Sequence, residues 1–207
     1  MNTRATRGPV VVVGAGNVGR ALGANLVNHG YDVAVAVRDP TRQVPAGVRS
    51  VAIDGAGASA DLVILAVPFD AVTSVVPRLG LRPGTILVDA TNPFGRPLPD
   101  GTGSGADGVQ RAAGDQVRVV KAFNVLGAEH MADPQLPDGT RPVLPVAGDD
   151  ADARGRVAGL ARELGFDAVE VGGLDNAHLL EEAARYWGLI AFGGGRGRSF
   201  VLVAHQR

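Results

Sequence analysis

The residues best placed to do chemistry come early. Gly14, Ala15, Gly16, Asn17, Val18 and Gly19 spell G-x-G-x-x-G directly after the apolar run Val10 to Val13. Each glycine has its own task in such a turn. Gly14 permits a tight exit from a strand, Gly16 lets a pyrophosphate lie against bare backbone, and Gly19 lets the next helix pack close to the strand. The unpaired N–H groups and partial positive charge at that helix's start then face the phosphates. The spacing alone is a weak signal. Here it follows four consecutive valines, precedes a helical stretch over 20–29 and lies ahead of a second strand, so it reads as a dinucleotide turn rather than a structural one.

The end of the second strand selects the nucleotide. A site for NAD usually places an acid roughly 20 residues past the glycines to hold the ribose 2′-hydroxyl. This chain has Val37 there, followed by Arg38, and a guanidinium can hold the 2′-phosphate of NADP(H) by charge-assisted bonds. Arg42 is a second candidate clamp. The competing reading leaves Arg38 solvated and makes Asp39 a displaced ribose acid; the reading favours NADP. Farther along, Ala66, Val67 and Pro68 end an apolar strand at its carboxyl edge, where ligands lie in open α/β sheets, so this turn is expected beside the ribose. Ala90-Thr91-Asn92-Pro93 and Lys121-Ala122-Phe123-Asn124 end two later strands at the same edge, which places Asn92, Ala122 and Asn124 among the cofactor residues. Lys121 is the only lysine. Without a role it would be unusual in an apolar strand, unless its stem snorkels to solvent.

No acid–base machinery stands out. His29, His130, His178 and His205 are scattered and read as surface or capping residues, with His130 and His178 the two worth testing. Cysteine is absent, so thiolate catalysis and cysteine-held metals are excluded. Asp149, Asp150 and Asp152 read as helix-capping acids rather than metal ligands. Chemistry carried by a bound nicotinamide nucleotide fits this inventory, because the protein then mainly positions. No catalytic residue is therefore assigned with certainty; Asn124 and His178 are the candidates.

The elements that must hold these residues alternate. Strands are expected at 10–13, 33–37, 48–53, 61–67, 85–89 and 117–122. Helices follow at 20–29, at 69–79, and from a Ser104 cap to Ala113. Alternation of this kind predicts an α/β fold, a Rossmann-like doubly wound, mostly parallel sheet. Residues 139–207 form a small C-terminal α/β addition to the nucleotide-binding part, 1–138. In it, strands at 143–147 and 168–171 flank a helix capped by Asp149-Asp150, and a last helix starts at an Asp175 cap. Leu180, Ala183, Ala184, Trp187, Ile190 and Ala191 recur at helical spacing and should face the core or a partner subunit. Residues 1 to 8 are polar and expected to fray, and 199–204 reads as either strand or helix. At 207 residues and 45% hydrophobic content the chain can build a sizeable core. A net charge of −1 gives no footprint for nucleic acid. The absence of a leader or a long apolar run predicts a cytoplasmic protein without a membrane span.

Four stretches carry a resemblance: G-A-G-N-V-G at 14–19, V-V-K-A-F-N-V-L-G-A at 119–128, V-A-G-D-D at 146–150 and G-G-L-D-N-A-H-L-L-E at 172–181. The chain resembles the NADPH-dependent reductases of the deazaflavin coenzyme F-420, and the related N-terminal reductase domains of six-transmembrane ferric reductases. The resemblance implies a Rossmann-like domain, usually a homodimer, in which Arg38 holds the 2′-phosphate. It implies that Ala66, Val67, Pro68 and Asn92 flank ribose and nicotinamide. It places Asn124, Val125 and Leu126 at the edge where a second ring stacks, with Asp175 and Asn176 starting the helix that closes that pocket. The sequence departs from the family at Gly173, where proline is frequent, at His178, where arginine is, and at Asn124, which is histidine in archaeal members. All three lie on the side of the second substrate. The membrane relatives carry haem helices and this sequence has none, so transmembrane ferric reduction is excluded; the resemblance implies a small redox molecule as second substrate, F-420 or a flavin such as FMN or FAD. Two other readings stay open, reduction of a small imine or ketone, and NADPH sensing without turnover.

Overall fold

The computed structural model describes residues 7–41 and 43–205. The main sheet has six strands, all parallel: β1 (Arg7–Val13), β2 (Tyr31–Val37), β3 (Arg49–Ala52), β4 (Leu62–Leu65), β5 (Ile86–Asp89) and β6 (Arg118–Lys121), in the order β3-β2-β1-β4-β5-β6. The strand order reverses between β1 and β4, which opens a crevice at their carboxyl ends. β1 starts at Arg7, paired with Tyr31, so the expected fraying does not hold for Arg7 and Gly8. Residues 1–6 lie outside the described chain.

The valine run is buried on both faces because the sheet is covered on both. Val10 and Val12 enter one apolar cluster, Val11 and Val13 the other, with Leu62 and Ile64 against Val63 and Leu65 repeating the split on β4. Helix α1 (Asn17–Asn28) lays Leu22 and Leu26 onto the first face. The expected helix over 69–79 is broken up. Only α2 (Val72–Val75) is α-helical, between 3-10 turns at Phe69–Ala71 and Val76–Leu79. Valine at 72, 75 and 76 restricts side-chain rotamers in a helix, and Pro77 lacks an N–H to continue the ladder. Helix α3 (Gly105–Ala113) begins at the predicted Ser104, whose hydroxyl accepts from the Asp107 N–H while Asp107 reaches back to the Ser104 N–H, a capping box.

After α4 (Ala128–Ala132), strands β7 (Val143–Val146) and β8 (Asp167–Glu170) form a separate parallel pair around α5 (Ala151–Glu163). An antiparallel bridge, Lys121 to Ala147, joins this unit to the end of β6. Leu144, Val146, Val157, Phe166 and Trp187 share one apolar cluster with β1 and α1, so the core runs through both parts of the chain. The last helix, α6, starts at Ala177 rather than at an Asp175 cap, because Leu174–Asn176 make a 3-10 turn first; it runs to Gly188 and passes into a π-turn at Leu189–Gly193. Residues 199–204 are neither strand nor helix. They are tied down where Trp187 stacks on Phe200 (centroids 5.4 Å apart) and donates to its carbonyl.

Candidate functional site

The three glycines differ in what surrounds them. Gly14 has φ +104°, and a Cβ on it would come within 2.5 Å of the Ala66 carbonyl oxygen. That close approach sets the glycine turn against the turn that ends β4. A Cβ on Gly19 would collide with the Gly14 carbonyl oxygen, so only glycine lets α1 start this near β1. Gly16 differs from both. A Cβ there would meet nothing within 4 Å, and its backbone borders open space at the head of α1. Gly16 is also the N-cap of α1 and brings no side chain to bond the first-turn N–H groups, which suits a phosphate. The residues present thus fit a dinucleotide pyrophosphate.

A cleft of about 630 Å³ opens there, bounded by Gly14, Ala15 and Gly16 on one side and by Ala66, Val67 and Pro68 on the other. It is also lined by Val37 at the end of β2 and Arg38 just after it, and by Ser74 in α2 and Arg78 after it. Arg38 is exposed and has no ion-pair partner among the described residues. Asp39 accepts from the backbone N–H and hydroxyl of Thr41, which folds its carboxylate into its own turn. Arg42 lies outside the described residues. Arg78 was not foreseen as a cleft residue. It pairs bidentately with Asp54 at 2.7 and 2.9 Å, and that bond holds the Asp54 carboxyl below its ordinary range.

The other end of the site is built on β5 and β6. Asn92 donates to the Asn124 carbonyl at 2.8 Å, and the Asn124 amide donates to Asn92 Oδ1 at 2.9 Å and to the Leu180 carbonyl at 3.0 Å. Thr91 Oγ1 and Asn124 Oδ1 are buried without a hydrogen-bond partner. Phe94 and Phe123 beside them have positive φ, +47° and +58°, a conformation that costs non-glycine residues energy and clusters at functional sites. Behind this edge Lys121 is fully buried. Its ammonium contacts Asp89 Oδ2 at 2.8 Å, the Thr91 carbonyl at 2.7 Å and Glu181 Oε1 at 2.9 Å. Snorkelling is thereby ruled out for Lys121. Glu181 also accepts from the N–H groups of Gly105 and Ala106 at the start of α3. Sequence reasoning missed Asp89 and Glu181. The available signal was an acid on the same helical face as Ala177 and Ala184, in a chain with one lysine in an apolar strand.

Several candidates sit elsewhere than at an open pocket. Ala122, Val125 and Leu126 are buried in the core, and the Asn176 amide is committed to the Val171 carbonyl at 2.7 Å. Asp175 is exposed at the turn before α6. Asn17 and Val18 open α1 beside Gly16. His178 is exposed, with Nδ1 2.7 Å from the Asp175 carbonyl oxygen. His130, expected as a surface or capping residue, is instead buried within α4, with Nε2 unpartnered. Asp150 caps α5 as predicted, whereas Asp149 accepts from the Leu174 N–H at 2.7 Å. Among the described residues no group of acids and histidines is arranged to hold a metal ion, and no helix is long and apolar enough to cross a membrane.

Residues 9–93 match the family model described as NADP oxidoreductase coenzyme F420-dependent. The fold is similar to a crystal structure from Arthrobacter sp. FB24 named as an F420-dependent NADP-reductase, with TM-score 0.84 and 27% identity over 97% of this chain and 100% of that one. It is similar to a hypothetical protein, SMa0349, from Sinorhizobium meliloti, with TM-score 0.71 and 31% identity over 81% and 86% of the two chains. Metalloreductase STEAP3 of Rattus norvegicus is 31% identical over 176 residues, 83% of this chain and 35% of the relative. The chain thus spans about a third of the length of the curated relatives it matches.

Proposed function

We propose that the chain is a member of the coenzyme F420-dependent NADP oxidoreductase family whose model matches residues 9–93, and that it transfers hydride between NADP(H) and a flat redox ring, the deazaflavin F-420 or a flavin. The observation that carries the reading is the open space at Gly16, at the head of an uncapped helix and in line with Arg38 along one cleft. The bound nicotinamide supplies the hydride chemistry. Everything else falls to the chain.

Gly14 to Gly19 and the first turn of α1 hold the pyrophosphate, with Asn17 and Val18 lending backbone N–H groups. Arg38 holds the 2′-phosphate by charge-assisted bonds, with Val37 beneath it and Arg42 as a second clamp. The turn at Ala66, Val67 and Pro68 flanks the ribose. Asn92, locked to Asn124, and the backbone at Ala122 form the edge beside the ring. Asn124 orients rather than exchanges protons, since an amide has no titrating proton near neutral pH. Val125 and Leu126 support that edge from the core, and the turn at Asp175 and Asn176 borders the acceptor together with His178. Stacking the acceptor directly against the nicotinamide favours ring-to-ring transfer by proximity.

The C-terminal part, 139–207, completes the acceptor side and supplies a homodimer contact. Exposed Phe94, Tyr186, Leu189 and Phe192 support this, forming an apolar surface on the side of α6 that the core does not use. The protein works as a cytoplasmic enzyme on small molecules. The test is oxidation of NADPH by the purified protein against F-420, FMN, FAD, ferric chelates and simple imines. Turnover with F-420 or a flavin supports the reading. Turnover with imines alone, or binding without turnover, overturns it.

A further inference from the structure

Two carboxylates, Asp89 and Glu181, converge on the single ammonium of Lys121, and all three side chains are buried. The arrangement has one more anion than cation. Two N–H groups at the start of α3 offset part of that excess, because they donate to Glu181 and carry the helix's partial positive charge. The remainder lies directly behind the edge assigned to the nicotinamide. Asp89 Oδ1 accepts from the Thr91 N–H, and Lys121 donates to the Thr91 carbonyl, so the trio grips both sides of the residue that precedes Asn92. Asn92 in turn is locked to Asn124. A buried, imperfectly neutralised ion cluster is costly to build and is weak evidence for stability alone. A charge held in low dielectric acts over longer range than one in water.

We infer that the Asp89–Lys121–Glu181 cluster biases the site electrostatically toward the oxidised nicotinamide. The inference rests on the nucleotide reading above. The oxidised ring is a cation and the reduced ring is neutral, and the two forms are otherwise nearly the same shape. A fixed negative excess behind the ring favours the cation, makes the bound reduced form a better hydride donor, and sets the favoured direction from NADPH to the acceptor. The three residues act through Thr91 and Asn92 and through their field. They are positioning residues and do not touch the reacting atoms.

Calorimetric titration of the whole protein with NADP+ and, separately, with NADPH tests this. In Glu181→Gln the ratio of the NADP+ dissociation constant to that of NADPH should rise about tenfold over wild type. Asp89→Asn, which removes the other carboxylate, should shift the ratio in the same direction. A merely structural role would weaken both forms by the same factor, and that result, or a falling ratio, overturns the inference. Should neither variant fold, the wild-type protein still decides. The ratio of its two constants gives the potential of the bound couple, which must lie more negative than that of free NADP(H); an equal or more positive potential contradicts the inference. Absence of binding by either form defeats the nucleotide reading itself, an outcome distinct from binding of both without a difference.

Discussion

At the residue scale, two glycines of one motif should fail in opposite ways. Gly16→Val places its side chain in open space, so the protein should keep its melting temperature and lose NADP binding. Gly19→Ala drives a methyl into the Gly14 carbonyl, and overpacking of this kind costs roughly 1–3 kcal/mol, so its melting temperature should drop. Thermal melts paired with nucleotide titration separate the two. Arg38→Ala should raise the KM for NADPH by roughly ten- to a hundredfold, the scale of a lost charge-assisted bond, and leave the KM for NADH nearly unchanged. Equal effects on both would refute the 2′-phosphate role. Gly14, Gly16, Gly19 and Arg38 were legible because their tasks are local: a turn, a bare backbone, a cation at a strand end. Glu181 was not, since its partner Lys121 lies 60 positions earlier by their numbering and no local pattern pairs them.

At the scale of elements, the parallel strands could be read from apolar runs and their punctuation, and the Ser104 cap from one hydroxyl ahead of a helix. Where neighbours decide, the reading slipped. The 69–79 segment is mostly 3-10 because its valines and Pro77 resist an α-helix, and Asp175 sits inside a turn instead of capping α6. Ser104→Ala removes half of the capping box and should lower stability by about 1 kcal/mol, measured by urea unfolding, without changing nucleotide binding. Asp54 gives the acid limb its sign. The Arg78 guanidinium holds its carboxyl below the ordinary value of 3.8, so its contribution is fully present above that value and disappears as pH falls through the lower folded one. Both groups are exposed, so the effect is small. Asp54→Asn should flatten the loss of stability below about pH 4, and a limb of unchanged steepness would remove Asp54 from the account.

At the scale of the whole molecule, the apolar periodicity of the last helix was legible but one-sided. Leu180, Ala184, Trp187 and Ala191 face the core, whereas Tyr186, Leu189 and Phe192 form an exposed surface that this periodicity did not show. If that surface joins two copies, Leu189→Asp should shift the protein from dimer to monomer in light scattering while leaving its melting temperature within a few degrees. A wild-type monomer at micromolar concentration would remove the contact. The central claim is that the cleft between the glycine turn and the Ala66 turn seats a 2′-phosphorylated dinucleotide. Titration calorimetry of the wild-type protein with NADPH and NADH tests it most directly. The account predicts saturable one-to-one binding of NADPH, at least tenfold tighter than NADH by the scale of the Arg38 contact. Equal affinity for the two, or no heat with either, would contradict it.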